Sequence, residues 1–182
     1  DIYIHPMLKH AQPTDGHPRP AYADGEEVDV TLLFADLRGF TQMANQRLPF
    51  DVVFILNQYF ELMGEAIESS DGYLDKFIGD GIMAIFGMRS GAEIGAKQAI
   101  SASIKMGQQL EILNLRLQDE LDSPLQIGIG LHRGNAIVGN MGYGEAMAVT
   151  AIGDTVNVAS RLEGACKTLG VQLVVSEGVL DA

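Results

Sequence analysis

The sequence predicts an α+β domain on a ferredoxin-like βαββαβ core, with one antiparallel-rich sheet and helices packed on it, and three observations carry that expectation. Residues 30–41 open as a run of β-branched and apolar side chains, the pattern of a buried strand. Residues 73–86 hold two further apolar runs folded back on Gly79-Asp80-Gly81, which reads as a hairpin. Residues 51–70 and 92–117 repeat apolar side chains at the three-and-four spacing of amphipathic helices.

Taken in order, residues 1–24 hold four of the six prolines and three of the four histidines and show no sustained period. Residues 1–27 therefore read as a linker from an upstream element, and 28–182 as the domain. His5, His10 and His17 match no common metal-site spacing and read as solvated linker residues. The first helix places Val52, Ile55, Leu56, Tyr59, Phe60, Met63 and Ile67 on one stripe, with Asp51 as N-cap and Asp71-Gly72 as its stop. The second offers Ile100, Ile104, Leu110 and Leu117 to the core, with Met106 as filler. Residues 125–132 and 135–140 read as a strand pair joined at Arg133-Gly134, residues 147–152 extend the sheet, and 171–175 form a last strand. Between the last two lies a helix carrying Asn157, with Cys166 on its apolar face as a buried structural thiol.

Composition narrows the function. The 182 residues suit one domain with a full core. With 24 acidic against 12 basic residues the net charge is −12, which argues against a nucleic-acid surface and against simple adhesion to anionic lipid. Any polyanionic ligand then needs local help, from metals or from Arg38, Lys76 and Arg161. A single cysteine excludes an internal disulfide and fits a reducing compartment. No apolar run approaches the roughly 20 residues that span a bilayer and no signal peptide is visible, so the expected setting is cytoplasmic. The absence of a starting methionine suggests a piece of a longer chain, with a regulatory or membrane domain upstream.

Three stretches carry candidate chemistry. Asp36 ends the first strand just before Gly39, where the backbone can come close to a ligand and the amides of Phe40 and Thr41 at a helix start can face a phosphate. Asp80 sits at the hairpin tip, and two carboxylates on adjacent strand ends, without His or Cys, suit Mg²⁺ or Mn²⁺ rather than zinc. Asn157 and Arg161 are four apart and share a helical face, where an amide and a guanidinium suit a ribose and a phosphate. Each has an ordinary alternative: an Asp before a turn glycine, a hairpin residue, and a surface Arg packing its stem on a helix.

Together, FADLRGFT, KFIGDGIMAIFG and TAIGDTVNVASRLE, in this order and at these separations, resemble the catalytic domain of the class III nucleotidyl cyclases, from about Val28 onward. The resemblance implies the cyclase catalytic fold and an adenylyl cyclase that turns ATP into cyclic AMP with two divalent cations per site. It assigns Asp36, Asp80 and the Leu37 carbonyl to the metals, Asn157 to the ribose, and Arg161 to the α-phosphate. It assigns Lys76 and Thr150 to the purine, an adenine-type pair where guanylyl cyclases typically carry Glu and Cys. It also implies a head-to-tail homodimer with shared sites, for which residues 139–148 offer a contacting arm or a plain surface loop. The family's domain usually continues past the strand at 171–175 with another strand pair and a basic phosphate contact, whereas this sequence ends at Ala182, and the segment at Arg89-Ser90 is shorter than expected. A guanylyl cyclase and a non-catalytic nucleotide-binding or dimerisation module are the competing readings, though the module should have lost a metal Asp or the Arg.

Overall fold

The computed structural model describes residues 25–182, so the expected linker histidines lie outside it. Strand β1 (Glu26–Leu37) opens two residues ahead of the expected boundary and is followed by the short helix α1 (Phe40–Asn45) and by α2 (Pro49–Glu68). The hairpin β2 (Tyr73–Ile78) and β3 (Gly81–Phe86) leads into α3 (Ala92–Arg116) and β4 (Ile127–Met141). A 3-10 turn (Gly144–Ala146), β5 (Ala148–Ile152), α4 (Asp154–Leu169), β6 (Leu173–Val175) and α5 (Glu177–Leu180) complete the chain.

The sheet order β2-β3-β1-β4-β5 contains the expected ferredoxin-like arrangement, with β1 central and antiparallel to both β3 and β4, and β6 added parallel to β4. Both faces of β1 are covered, which is why its sequence reads as a nearly unbroken apolar run rather than an alternation. Leu33, Ala35 and Leu37 join the core formed with α2 and α3. Val30 and Leu32 join a second cluster with Met83, Ile85, Val138 and Ala159 of α4.

The expected strand pair at Arg133-Gly134 is one continuous strand. Its register against β1 runs without interruption from Glu26↔Val138 to Leu37↔Ile127. The glycines of β4 serve close approach, not turning. A Cβ at position 130 would lie 2.6 Å from the Ala159 carbonyl oxygen, and one at 134 would lie 3.0 Å from Thr155 Oγ1. Helix α4 therefore rests directly on the glycine face of β4, opposite α2 and α3. Arg133, mid-strand, forks onto the Asp29 carboxylate of β1, with Nη2 at 3.0 Å.

Two helix expectations also shift. Helix α2 begins at Pro49 behind Leu48, with no side-chain cap, so Asp51 lies inside the first turn rather than at the cap. Proline's fixed φ and missing N–H make it a ready first residue, and Asp51 still meets the positive end of the helix dipole. In α3 the buried face is built from Ala96, Ala99, Ala102, Ser103, Met106, Leu110 and Leu113, and Ile104 is 56% exposed. Small residues let α3 lie close to its neighbours; of the expected core positions Leu110 and Leu117 are buried, Ile100 packs against the core, and Ile104 alone faces outward. Met106 and Cys166 are fully buried, as expected.

Strands β2 and β5 stand at opposite edges of the sheet, yet the Tyr73 hydroxyl donates to the Val149 carbonyl at 2.9 Å and the Thr150 hydroxyl donates to the Asp75 carboxylate. The sheet therefore curls until its edges touch through side chains, burying the second cluster between them.

The close seating of α4 gives a stability test by urea unfolding. Gly130→Ala forces a Cβ against the helix backbone and should cost about 2 kcal/mol or more. Gly164→Ala, on α4 itself with no atom within 4 Å of its Cβ, should gain about 0.5–1 kcal/mol. Equal effects at the two positions would contradict this packing.

Candidate active site

Strand β1 carries Asp36 to its second-last position, and the β2–β3 turn carries Asp80. The turn has two residues between the paired Ile78 and Gly81, and positive φ falls on Gly79 alone (62°), the pattern of a II′ rather than a I′ turn. The tip docks on the strand end: the Leu37 amide donates to Asp80 Oδ2 at 3.1 Å. The two carboxyl groups interact directly. Asp36 is consequently pushed up to about 7, first by burial, then by its hydrogen bond to and the charge of Asp80, then by the charge of Glu163, with the Leu37 amide opposing.

Asp36 Oδ1 is buried and has no hydrogen-bond partner among the described residues. A buried acceptor without a donor, in a pair of acids that repel one another, is the arrangement a cation relieves. The donors of the pair are all oxygen, from two carboxylates. Among the described residues no group of three or more His, Cys, Asp or Glu is arranged to hold a metal. A pair of carboxylates that leaves positions open for phosphate suits Mg²⁺ or Mn²⁺, so the residues fit the group.

The sequence reading missed Glu163. It faces the sheet from α4 over Gly128, whose register partner is Asp36, and burial raises its pKa while Arg38 lowers it and Asp80 raises it. Its signal was present: Glu163 is two residues from Arg161, thus on the opposite face of the helix, and the glycines of β4 leave room for it. Arg38 also differs from expectation. Its Nη2 donates to the Cys166 carbonyl at 3.1 Å and to the Val171 carbonyl, so its charge is spent tying the end of α4 to β1. The fully buried Tyr59 lies beneath, its hydroxyl without a partner among the described residues and its pKa raised by burial and by Asp36, Asp80 and Glu163.

Lys76 and Thr150, far apart in sequence, are brought together by Asp75. Thr150 Oγ1 donates to Asp75 Oδ2, and Lys76 Nζ lies 3.9 Å from the same oxygen. Burial raises the pKa of Asp75, and the Thr150 hydrogen bond and the Lys76 charge pull it back. Asn157 and Arg161 lie exposed on the outer face of α4, and no hydrogen bond or ion pair engages their side chains among the described residues. Gly39 adopts the left-handed backbone (φ 69°) that its turn requires, and Phe40 and Thr41 begin the six-residue α1 beside it. One chain thus presents the Asp36–Asp80 carboxylate pair, the Lys76–Thr150 pair joined through Asp75, and the exposed Asn157–Arg161 face of α4.

Comparison with known proteins follows the same lines. Residues 23–181 match the family described as "Adenylate and Guanylate cyclase catalytic domain". The chain is 37% identical over 155 residues to an adenylate cyclase of Anabaena cylindrica, covering 83% of this chain and 30% of that protein. It is 35% identical to the terminal-differentiation specific adenylate cyclase of Dictyostelium discoideum over 84% of this chain and 7% of that protein. The chain therefore spans under a third of either relative. The crystal structure of the adenylyl cyclase CyaB from P. aeruginosa superposes with a TM-score of 0.80 at 30% identity, covering 87% of this chain and 81% of that one. That of the guanylyl cyclase Cya2 superposes with a TM-score of 0.79 at 31% identity, covering 86% and 79%. The paired acids, the curled sheet and these matches agree, and the chain belongs to the adenylate and guanylate cyclase catalytic domain family, the class III cyclases.

Proposed function

We propose that this domain is an adenylyl cyclase, forming 3′,5′-cyclic AMP and pyrophosphate from ATP at sites shared between two copies of the chain. The observation that carries the reading is the Asp36–Asp80 pair with its buried, partnerless oxygen, on the same chain as a Lys76–Thr150 pair that suits adenine. The names of the Anabaena and Dictyostelium relatives support it. Since CyaB and Cya2 superpose equally well, the fold does not choose the base, and guanylyl cyclase stands as the second reading. The choice falls to Lys76 and Thr150.

In the reaction the ribose 3′-oxygen attacks the α-phosphorus and pyrophosphate leaves. Two divalent cations held by Asp36, Asp80 and the Leu37 carbonyl would, when bound, acidify the attacking hydroxyl and neutralise the leaving phosphates. Asn157 orients the ribose, and the Arg161 guanidinium donates to oxygens of the α-phosphate as charge builds there. The amides at Gly39, Phe40 and Thr41 stand by the phosphates. Lys76 donates to the purine ring nitrogen N1, and Thr150 meets the 6-substituent.

A second copy, related head to tail, brings the Asn157–Arg161 face and base-reading pair of one chain over the carboxylate pair of the other. Large apolar side chains stand exposed where such a partner would cover them: Phe50 (86%) and Phe54 on α2, Ile78 beside the hairpin tip, and Tyr143 (91%) in the loop between β4 and β5. Residues 139–148 then serve as the contacting arm. No helix among the described residues is long and apolar enough to cross a membrane. The reading places the domain in the cytoplasm, coupled to a regulatory or membrane domain elsewhere in its parent chain.

Asp36→Ala and Arg161→Ala should each abolish cyclic AMP formation, yet mixing the two inactive proteins should recover up to about a quarter of wild-type activity through the one intact site of a heterodimer. No recovery despite heterodimers confirmed by mass spectrometry would remove the shared-site reading.

Asp36 also predicts a pH dependence. Its carboxyl rises from 3.8 to about 7 on folding, so the folded state holds the proton more tightly than the unfolded chain. Stability should therefore fall as pH rises between those values and stay low above them. By calorimetry without divalent cations, Tm should drop across that interval, and Mg²⁺ or Mn²⁺ at about pH 7.5 should raise it by about 2 °C or more. Asp36→Asn should flatten the fall and lose the metal response; an Asp36→Asn protein behaving like wild type would contradict the assignment.

A further inference from the structure

Asp75 is out of place for its strand. The register of β2 passes from Leu74↔Ala84 to Lys76↔Met83, leaving Asp75 as the unpaired residue of a β-bulge. A bulge gives up a ladder partner and re-aims a side chain. Here it turns a carboxylate inward, with the Asp75 side chain only 2% exposed. A buried carboxylate requires a donor or a countercharge. Asp75 has one of each, the Thr150 hydroxyl at 2.5 Å and the Lys76 ammonium at 3.9 Å from Oδ2, and both belong to the base-reading residues.

The direction of the Thr150 hydrogen bond has a chemical consequence. A hydroxyl owns one proton and two lone pairs, and an ionised carboxylate only accepts. The Thr150 proton is thus committed to Asp75, and what remains for a ligand is lone pairs. An acceptor suits the 6-amino group of adenine and opposes the O6 acceptor of guanine. Lys76, a donor only, suits the bare N1 of adenine and opposes the N1–H of guanine.

We propose that Asp75 is a positioning residue for base selection: it fixes the Thr150 hydroxyl as an acceptor and the Lys76 ammonium beside it, so the pair reads a 6-aminopurine and rejects a 6-oxopurine. This rests on the adenylyl cyclase reading and deepens it by naming what orients the pair. The bond is not the sole tie between the sheet edges, because Tyr73 donates to Val149 next to it.

The test compares kcat/KM for ATP and for GTP in the unmodified domain, in Asp75→Ala, in Asp75→Leu, which fills the same space without an acceptor, and in Tyr73→Phe, which cuts the neighbouring tie. Folding is checked by thermal unfolding. In either Asp75 variant the ATP-to-GTP ratio should fall about tenfold or more, with kcat/KM for GTP itself rising because the freed hydroxyl can donate to O6. Tyr73→Phe should leave the ratio within about twofold of the unmodified value. An unchanged ratio in folded Asp75 variants, or an equal loss with both substrates as a purely structural role would give, overturns the inference. If the unmodified domain prefers GTP, the adenylyl cyclase reading falls and the inference with it. If it prefers ATP and the variants keep that ratio, only the inference falls.

Discussion

Two acids forced together at the end of the central strand are the constraint around which this domain is arranged. Asp36 ends β1 and Asp80 tips the β2–β3 hairpin two helices later, and the Leu37 amide fixes the hairpin tip on the strand. Burial and mutual repulsion make the pair unfavourable without a cation, and the partnerless Asp36 Oδ1 marks where that cost is concentrated. A fold that retains such a pair spends stability on it. On the reading proposed here, the return is a pair of carboxylates already positioned when metal and triphosphate arrive, which spares reorganisation during the reaction.

The rest of the architecture sets what surrounds the pair. Glycines on one face of β4 let α4 sit directly on the sheet, which carries Glu163 toward the acids and leaves Asn157 and Arg161 facing outward. Arg38 ties the end of that helix back to the end of β1, beside the carboxylates. The curl of the sheet joins its two edges and sets Lys76, Asp75 and Thr150 side by side. On the reading proposed here, association of two copies completes the site, with activity adjustable by whatever controls their approach.

Much of this was legible in the sequence. The βαββαβ core follows from apolar runs, helical spacing and the Gly79-Asp80-Gly81 turn, and the proximity of Asp36 and Asp80 follows from both standing at strand ends. What escaped the reading depends on the third dimension. Gly134 looked like a turn because glycine breaks strands as readily as it admits a helix, and only the neighbouring Thr155 distinguishes the two. The buried face of α3 was legible only in its second half, where Met106, Leu110 and Leu113 line it, because alanines and a serine line the first. Arg38 was counted as a ligand-facing charge, although the carbonyls it serves lie more than 120 residues away in sequence. Asp75 gave no periodic signal, since a bulge turns it inward, and Glu163, legible only as lying on the helix face opposite Arg161, reaches the acids through the opening at Gly128.

The central claim is that this chain cyclises ATP and does so only as a pair. Its most direct test is the initial rate of cyclic nucleotide formation by the purified domain, with Mg²⁺ and with Mn²⁺, over a wide range of protein concentration. The account predicts cyclic AMP with a rate that rises nearly as the square of concentration while monomers predominate, then becomes linear once dimers do. Cyclic AMP at a rate strictly linear down to concentrations where the domain is monomeric by sedimentation would contradict the shared site, and no cyclic nucleotide under any of these conditions would contradict the catalytic reading itself.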